Sequence, residues 1–295
     1  MVRIGINPLT WTNDDLPALG EENSLEKCLT EAKQAGYEGV ELGRKFPRQA
    51  AVLGPILEKF ELSLVSGWYS ARLLERSVEE EIRAMEPHLQ LLKALGAKVM
   101  VFCEVSRCVH GERGVPLSRR PRLTEDEWSR LCPGLNAISV HMKKQGLHLA
   151  YHHHMGTVIQ SEEEVDRMMA GTGPEVGLLL DTGHLTFAGG DPLRAARRHA
   201  ARIVHVHCKD IRRDKLAAAL QKDSSFLDAV LGDVFAVPGD GSIDFQPVLE
   251  ILSESNYRGW IVVEADQDPA KAHPLTHARI GHDCLRPLAR RYWPS

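Results

Sequence analysis

Eight short apolar runs, separated by segments whose apolar residues recur at helical spacing, constrain this chain more than any other feature. They read "VRIGIN" (2–7), "GVEL" (39–42), "LSLVSGW" (62–68), "KVMVFCE" (98–104), "LHLAYHH" (147–153), "VGLLLD" (176–181), "RIVHVHC" (202–208) and "GWIVVEA" (259–265). The runs are apolar on both faces, as strands are when one side lines a barrel and the other meets helices. Intervening segments such as "SLEKCLTEAKQAG" and "TEDEWSRLCPGLNAISVHMKKQG" open on Ser or Thr and close on Gly, the punctuation of a helix. Eight strand-helix units in 295 residues predict an α/β fold, a closed (β/α)8 barrel in one domain over 1–295. A doubly wound sheet is the alternative, opposed by the strand count, by the absence of G-x-G-x-x-G after the first run and by the lack of a linker. Two connections, 105–123 and 211–243, exceed the usual length and are expected to cover the site.

The charge balance narrows the partners. Lys and Arg number 36 against 40 Asp and Glu, for a formal net charge of -4. No long run of one sign provides the basic footprint that phosphate backbones require, so nucleic acid is not expected. No stretch approaches a membrane span, and "MVRIGINPLTW" lacks the order of a secretory signal, so a cytoplasmic protein without a membrane partner is expected. The six cysteines show one C-x4-C pair, Cys103 and Cys108, which writes neither a disulfide framework nor a zinc knuckle; buried thiols are expected.

In barrels of this type chemistry sits where the strands end. The fifth to eighth runs end in His152, Asp181, His207 and Glu264, all able to ligate a divalent cation. Side chains alternate along a strand, so His152 and His154 point one way and His153 the other; which of the first two is the ligand stays open. Mixed imidazole and carboxylate ligation suits Mn²⁺, Co²⁺, Fe²⁺ or Zn²⁺ better than Ca²⁺. His184 and Asp210, each three residues beyond a ligand, are placed to orient ligands or touch substrate.

These motifs carry a resemblance. "DTGH" (181–184), "HVHCKD" (205–210), "PGDGSIDF" (238–245) and "VVEADQD" (262–268) resemble the xylose-isomerase-like barrel superfamily of sugar isomerases, epimerases and metal-dependent abasic-site endonucleases. The resemblance implies Asp181, His207 and Glu264 as metal ligands. Its usual fifth-strand Glu is replaced here, since "AYHHHMGT" puts His152 at that position. More narrowly, "WTNDDLP" (11–17), "GVELGRKFP" (39–47), "VSGWYS" (65–70), "VFCEVSRCVHG" (101–111) and "YHHHMGT" (151–157) resemble the inosose dehydratases of inositol catabolism. That implies loss of water from 2-keto-myo-inositol to a trihydroxycyclohexane-dione, with Mn²⁺ or Co²⁺ as cofactor and glutathione as an associated thiol. A metal-dependent ketose isomerase or epimerase is the alternative on the same barrel.

Dehydration beside a ketone needs a base for the α proton and an acid for the departing hydroxyl. Glu104, closing an apolar strand, and His154 are the candidates, with His184 and Lys209 in supporting catalytic places. Trp11, Glu41, Lys45, Trp68, Arg107, His110 and Asp210 are the candidate substrate contacts. The expected partner is a small polyol ketone, and self-association is left open.

Overall fold

The computed structural model describes residues 2–294. Every one of the eight apolar runs is a strand: β1 (Arg3–Ile6), β2 (Gly39–Leu42), β3 (Ser63–Ala71), β4 (Val99–Glu104), β5 (His148–His152), β6 (Val176–Asp181), β7 (Ile203–Cys208) and, after a two-stranded ribbon of β8 (Asp210–Ile211) and β9 (Phe235–Ala236), β10 (Trp260–Val263). All eight pair in parallel and close in the order β1-β10-β7-β6-β5-β4-β3-β2, with the ribbon standing apart. The fold is the predicted (β/α)8 barrel.

Helices follow the strands in the expected alternation: α1 (Leu25–Gln34), α2 (Ala50–Lys59), α3 (Val78–Ala94), α4 (Glu125–Lys144), α5 (Glu162–Gly171), α6 (Thr182–Phe187), α7 (Pro192–His199), α8 (Arg213–Gln221), α9 (Phe226–Leu231), α10 (Gln246–Glu254) and α11 (Pro274–Tyr292). Their starts are chemically fixed. Ser77, Thr124 and Ser161 form reciprocal capping boxes with Glu80, Glu127 and Glu164, satisfying amides that have no partner inside the helix. Gly36 follows α1 at φ 98°, a conformation open to glycine and strained for other residues. Among the described residues, no helix is long and apolar enough to cross a membrane.

Two apolar layers flank the barrel wall. Outward residues such as Met100, Phe102, Leu178 and Leu180 join the large core beneath the helices. Inward residues Val99, Val101, Ala150 and Leu179 form a small apolar plug inside the barrel, with Trp68 and Val204 against it. Leu179→Ala would open a cavity in that plug and cost about 2–5 kcal/mol. Above the plug, at the carboxyl ends, the inward side chains become polar.

The two long connections differ from each other. Residues 105–123 are largely irregular, with one short turn of 3-10 helix at Leu117–Arg119. Residues 211–243, expected as a loop, instead carry α8, α9 and β9 and build a second apolar cluster around Phe226, Phe235, Val230 and Ile211.

Candidate functional site

The polar ends enclose a cavity of about 230 Å³, lined from β1 by Asn7, from β2 by Glu41, from β3 by Trp68, from β5 by His152 with His154 beyond it, and by His207 and Glu264. Asp181, at the end of β6, is fully buried. The "DTGH" motif explains its orientation: Asp181 Oδ1 accepts the His184 amide at 2.7 Å and so caps α6. That bond fixes the carboxylate and leaves Oδ2 buried without a hydrogen-bond partner.

Around this oxygen, donor atoms of His152, Asp181, His184 and Glu264 lie within 4.8 Å of one another, while the expected ligand His207 groups with Glu41 and His205 and touches the first set through Asp181 and Glu264. Asp181 Oδ2 is 3.6 Å from both His152 Nε2 and His207 Nδ1. His207 Nδ1 is 2.7 Å from Glu264 Oε2, yet makes no hydrogen bond. His152 Nδ1 donates to the His153 carbonyl at 2.7 Å, which turns Nε2 toward Asp181. An orphaned carboxylate oxygen beside two imidazole nitrogens and a second carboxylate, all buried, is a donor set that suits a divalent cation. His184 also brings a nitrogen within 4.8 Å of atoms on His152, Asp181 and Glu264. Its Nε2 is 2.9 Å from Lys209 Nζ and its Nδ1 accepts the Met155 amide at 3.3 Å.

Lys209 is fully buried and lies 2.7 Å from both Glu264 Oε1 and Asp266 Oδ2. Burial works against its charge, but Asp266, Glu264 and Asp181 outweigh burial and raise its pKa above the usual lysine value. It holds Glu264 from the side opposite His207. His154 turns from Asp181; its Nδ1 donates to the Met155 carbonyl at 2.8 Å, and its ring packs on His184 at 3.9 Å between centroids. Burial, with His110 and His152 nearby, holds His154 well below the usual histidine range, so its Nε2 carries a lone pair at neutral pH. Trp68 stands edge-on to His110, His152 and His154.

Of the other expected residues, Glu41, Trp68 and His110 line the cavity and five do not. Glu104 shares strand parity with outward Phe102, and its carboxylate accepts from the backbone amides of Leu73 at 2.6 Å and Ser106 at 2.8 Å. Burial lifts its pKa to about 7, and it joins two loops from behind the barrel wall without lining the cavity. Trp11 is fully buried and donates to Glu31 at 2.6 Å, facing α1. Lys45 is held by the carbonyls of Glu21 and Asn23 at 2.6 and 2.9 Å. Arg107 swings outward to Glu127 at 2.5 Å. Asp210 accepts five backbone amides, from Ile211, Gly239, Gly241, Ser242 and Ile243, at 2.8 to 3.1 Å, and so fastens the start of the 211–243 excursion to the "PGDGSID" turn. A Cβ at Gly241 would come within 2.3 Å of Asp210 Oδ1, so only glycine fits there.

Sequence reasoning passed over Asn7, Asp14, Asp15 and Asp266, all of which line the cavity. Asp266 was accessible to the alternation rule, being two residues beyond Glu264. Asp14 and Asp15 lie in the "WTNDDLP" segment after β1, and Asp15 Oδ1 is 3.7 Å from His110 Nε2 across the cavity mouth.

The family model of the xylose isomerase-like TIM barrel matches residues 29–288. The chain is 52% identical over 288 residues to the rhizopine catabolism protein MocC of Rhizobium meliloti, covering 98% of this chain and 89% of that one. It is 46% identical over 279 residues to inosose dehydratase of Clostridium tetani, covering 94% of each. Among solved structures, the IolI protein with a bound zinc atom superposes with a TM-score of 0.70 over the whole of both chains at 15% identity, a likeness of fold. With a closed eight-stranded parallel barrel and a family match over most of its length, the chain belongs to the xylose isomerase-like TIM barrel family.

Proposed function

We propose that the chain is a metal-dependent hydro-lyase that removes water from 2-keto-myo-inositol to give a trihydroxycyclohexane-dione. What supports the reading is the buried cluster of His152, Asp181 and Glu264, with His207 Nδ1 3.6 Å from Asp181 and 2.7 Å from Glu264, on a chain 46% identical to an inosose dehydratase over 94% of its length. These four residues would hold the ion, for which Mn²⁺ or Co²⁺ suits the mixed nitrogen and oxygen donors. Bound there, a divalent ion would act as a Lewis acid on the ketone oxygen.

The chain's own groups account for the protons. His154, neutral and facing the cavity, takes the α proton on Nε2. His110, beside Asp15 at the mouth, gives a proton to the departing hydroxyl, so that one water is lost and no redox change occurs. Trp68 offers an aromatic wall to the C–H face of the ring. Carboxylates line the cavity and neither Lys nor Arg does, which fits an uncharged polyol.

The test is turnover of 2-keto-myo-inositol by protein prepared without chelator, followed by dione absorbance, with metal content measured alongside. Activity lost to a chelator and restored by Mn²⁺ or Co²⁺ is the expected result; addition of glutathione shows whether a thiol takes part. A metal-loaded protein that interconverts ketoses without forming dione would replace this reading with the isomerase or epimerase.

A further inference from the structure

Glu41, on β2, lies across the barrel from the cation centre and is only 3% exposed. Its Oε1 is 3.1 Å from His207 Nε2 and 2.8 Å from His205 Nε2, and it also accepts from the Ser66 hydroxyl. Its Oε2 accepts Asn7 Nδ2 at 2.6 Å, and the same Asn7 amide donates to Glu264 Oε2 at 3.1 Å. Four donors thus saturate one buried carboxylate, which has little capacity left for substrate.

The chemistry of the contact fixes a proton. An ionised carboxylate only accepts, so the nitrogen it meets on each histidine bears the hydrogen. With its Nε2 hydrogen held by Glu41, His207 presents Nδ1 to Asp181 Oδ2 and Glu264 Oε2, the position from which it would ligate a cation. Carboxylate behind, imidazole between and cation in front is an arrangement that sets the tautomer, the ring orientation and the basicity of a ligand. We infer that Glu41 is a positioning residue that selects the Nδ1-donating tautomer of His207 and, through Asn7, holds Glu264 in register with it.

A competing geometry exists on the same residues. Glu41, His205 and His207 bring atoms within 4.8 Å of one another and would constitute a second cation site. Ligation through His205 Nε2 would put its hydrogen on Nδ1, which is buried and has no acceptor, so the hydrogen-bonded arrangement is the better satisfied of the two.

The inference rests on the cation reading of the site, and the experiment separates their failures. Chelator-treated protein is titrated calorimetrically with Mn²⁺ or Co²⁺, and the visible spectrum of the Co²⁺ form is recorded. The expected result is one ion per chain in the wild type, and one ion bound roughly 10- to 100-fold more weakly with an altered Co²⁺ spectrum in Glu41→Gln. Glu41→Asp keeps the charge but withdraws the oxygens by about 1.5 Å, one carbon-carbon bond, and is expected to lose affinity as well; it carries the test if the Gln variant does not fold. Unchanged affinity in both variants overturns the positioning role while leaving the cation site intact. Two ions in the wild type and one in the variant make Glu41 a ligand and overturn it too. No ion in the wild type overturns the cation reading and this inference with it.

Discussion

Glu264 and Glu104 are the same residue type at the ends of strands in one barrel, 4% and 0% exposed. Glu264 faces inward, 2.7 Å from both His207 Nδ1 and Lys209 Nζ, within a ring of charged and titratable side chains. Glu104 faces outward and meets two backbone amides. Neither residue type nor burial separates them; the parity of the strand does. One position therefore places its charge beside the cavity and the other holds two loops together.

Substitutions can break this contrast. Asp181→Asn and Glu264→Gln remove ligand charge from the shared centre; turnover is expected to fall on the order of a thousandfold or more, with loss of bound metal by elemental analysis. His154→Ala should keep the metal and lose turnover by roughly 100-fold or more, as removal of a general base does; metal retained with normal turnover would end its assignment as base.

Glu104→Gln sharpens the contrast from the other side. Its folded pKa of about 7 lies above the 4.5 of a free glutamate, so its contribution to stability is complete below that lower value and is lost as pH rises through 7. The loss amounts to roughly 3 kcal/mol at most between pH 4.5 and 8. Urea unfolding at pH 5 and pH 8 should show a smaller pH dependence in Glu104→Gln than in the wild type, with turnover within about threefold; a collapse of turnover with folding intact would return Glu104 to the active site. Smallest of all, Arg107→Ala removes an exposed pair with Glu127 and should change stability by no more than about 0.5 kcal/mol and leave turnover alone.

The same parity explains what the sequence made legible. The strands stood out because each is apolar throughout, and Asp181, His207 and Glu264 because the polar residues that interrupt those runs fall at their ends. But a run such as "KVMVFCE" has no alternation to say which face Glu104 occupies, and no local pattern distinguishes it from an inward carboxylate. His152 and His154 share a face, so alternation could not choose between them; the bond from His152 Nδ1 to the next carbonyl aims it at Asp181. Trp11, Lys45 and Arg107 lie outside the cavity lining because residues beyond a strand end are aimed by loop geometry, which strand periodicity does not carry. The helices α8 and α9 were missed for their length, nine and six residues, too short for a clear period.

The 211–243 excursion does more than lengthen the chain. Phe226 lies 4.9 Å from the His154 ring and 5.6 Å from His184, while Phe235 is 5.4 Å from His184 and 4.9 Å from Lys209 Nζ. Together they form a hydrocarbon ceiling that keeps bulk water from the flank of the charged ring. Coulombic attraction scales inversely with the local dielectric, about fourfold stronger at an effective value of 20 than in water. A trimmed chain ending this stretch in a tight turn would retain all the chelating groups, yet leave them as a hydrated cluster whose grip on both ion and ketone is diluted.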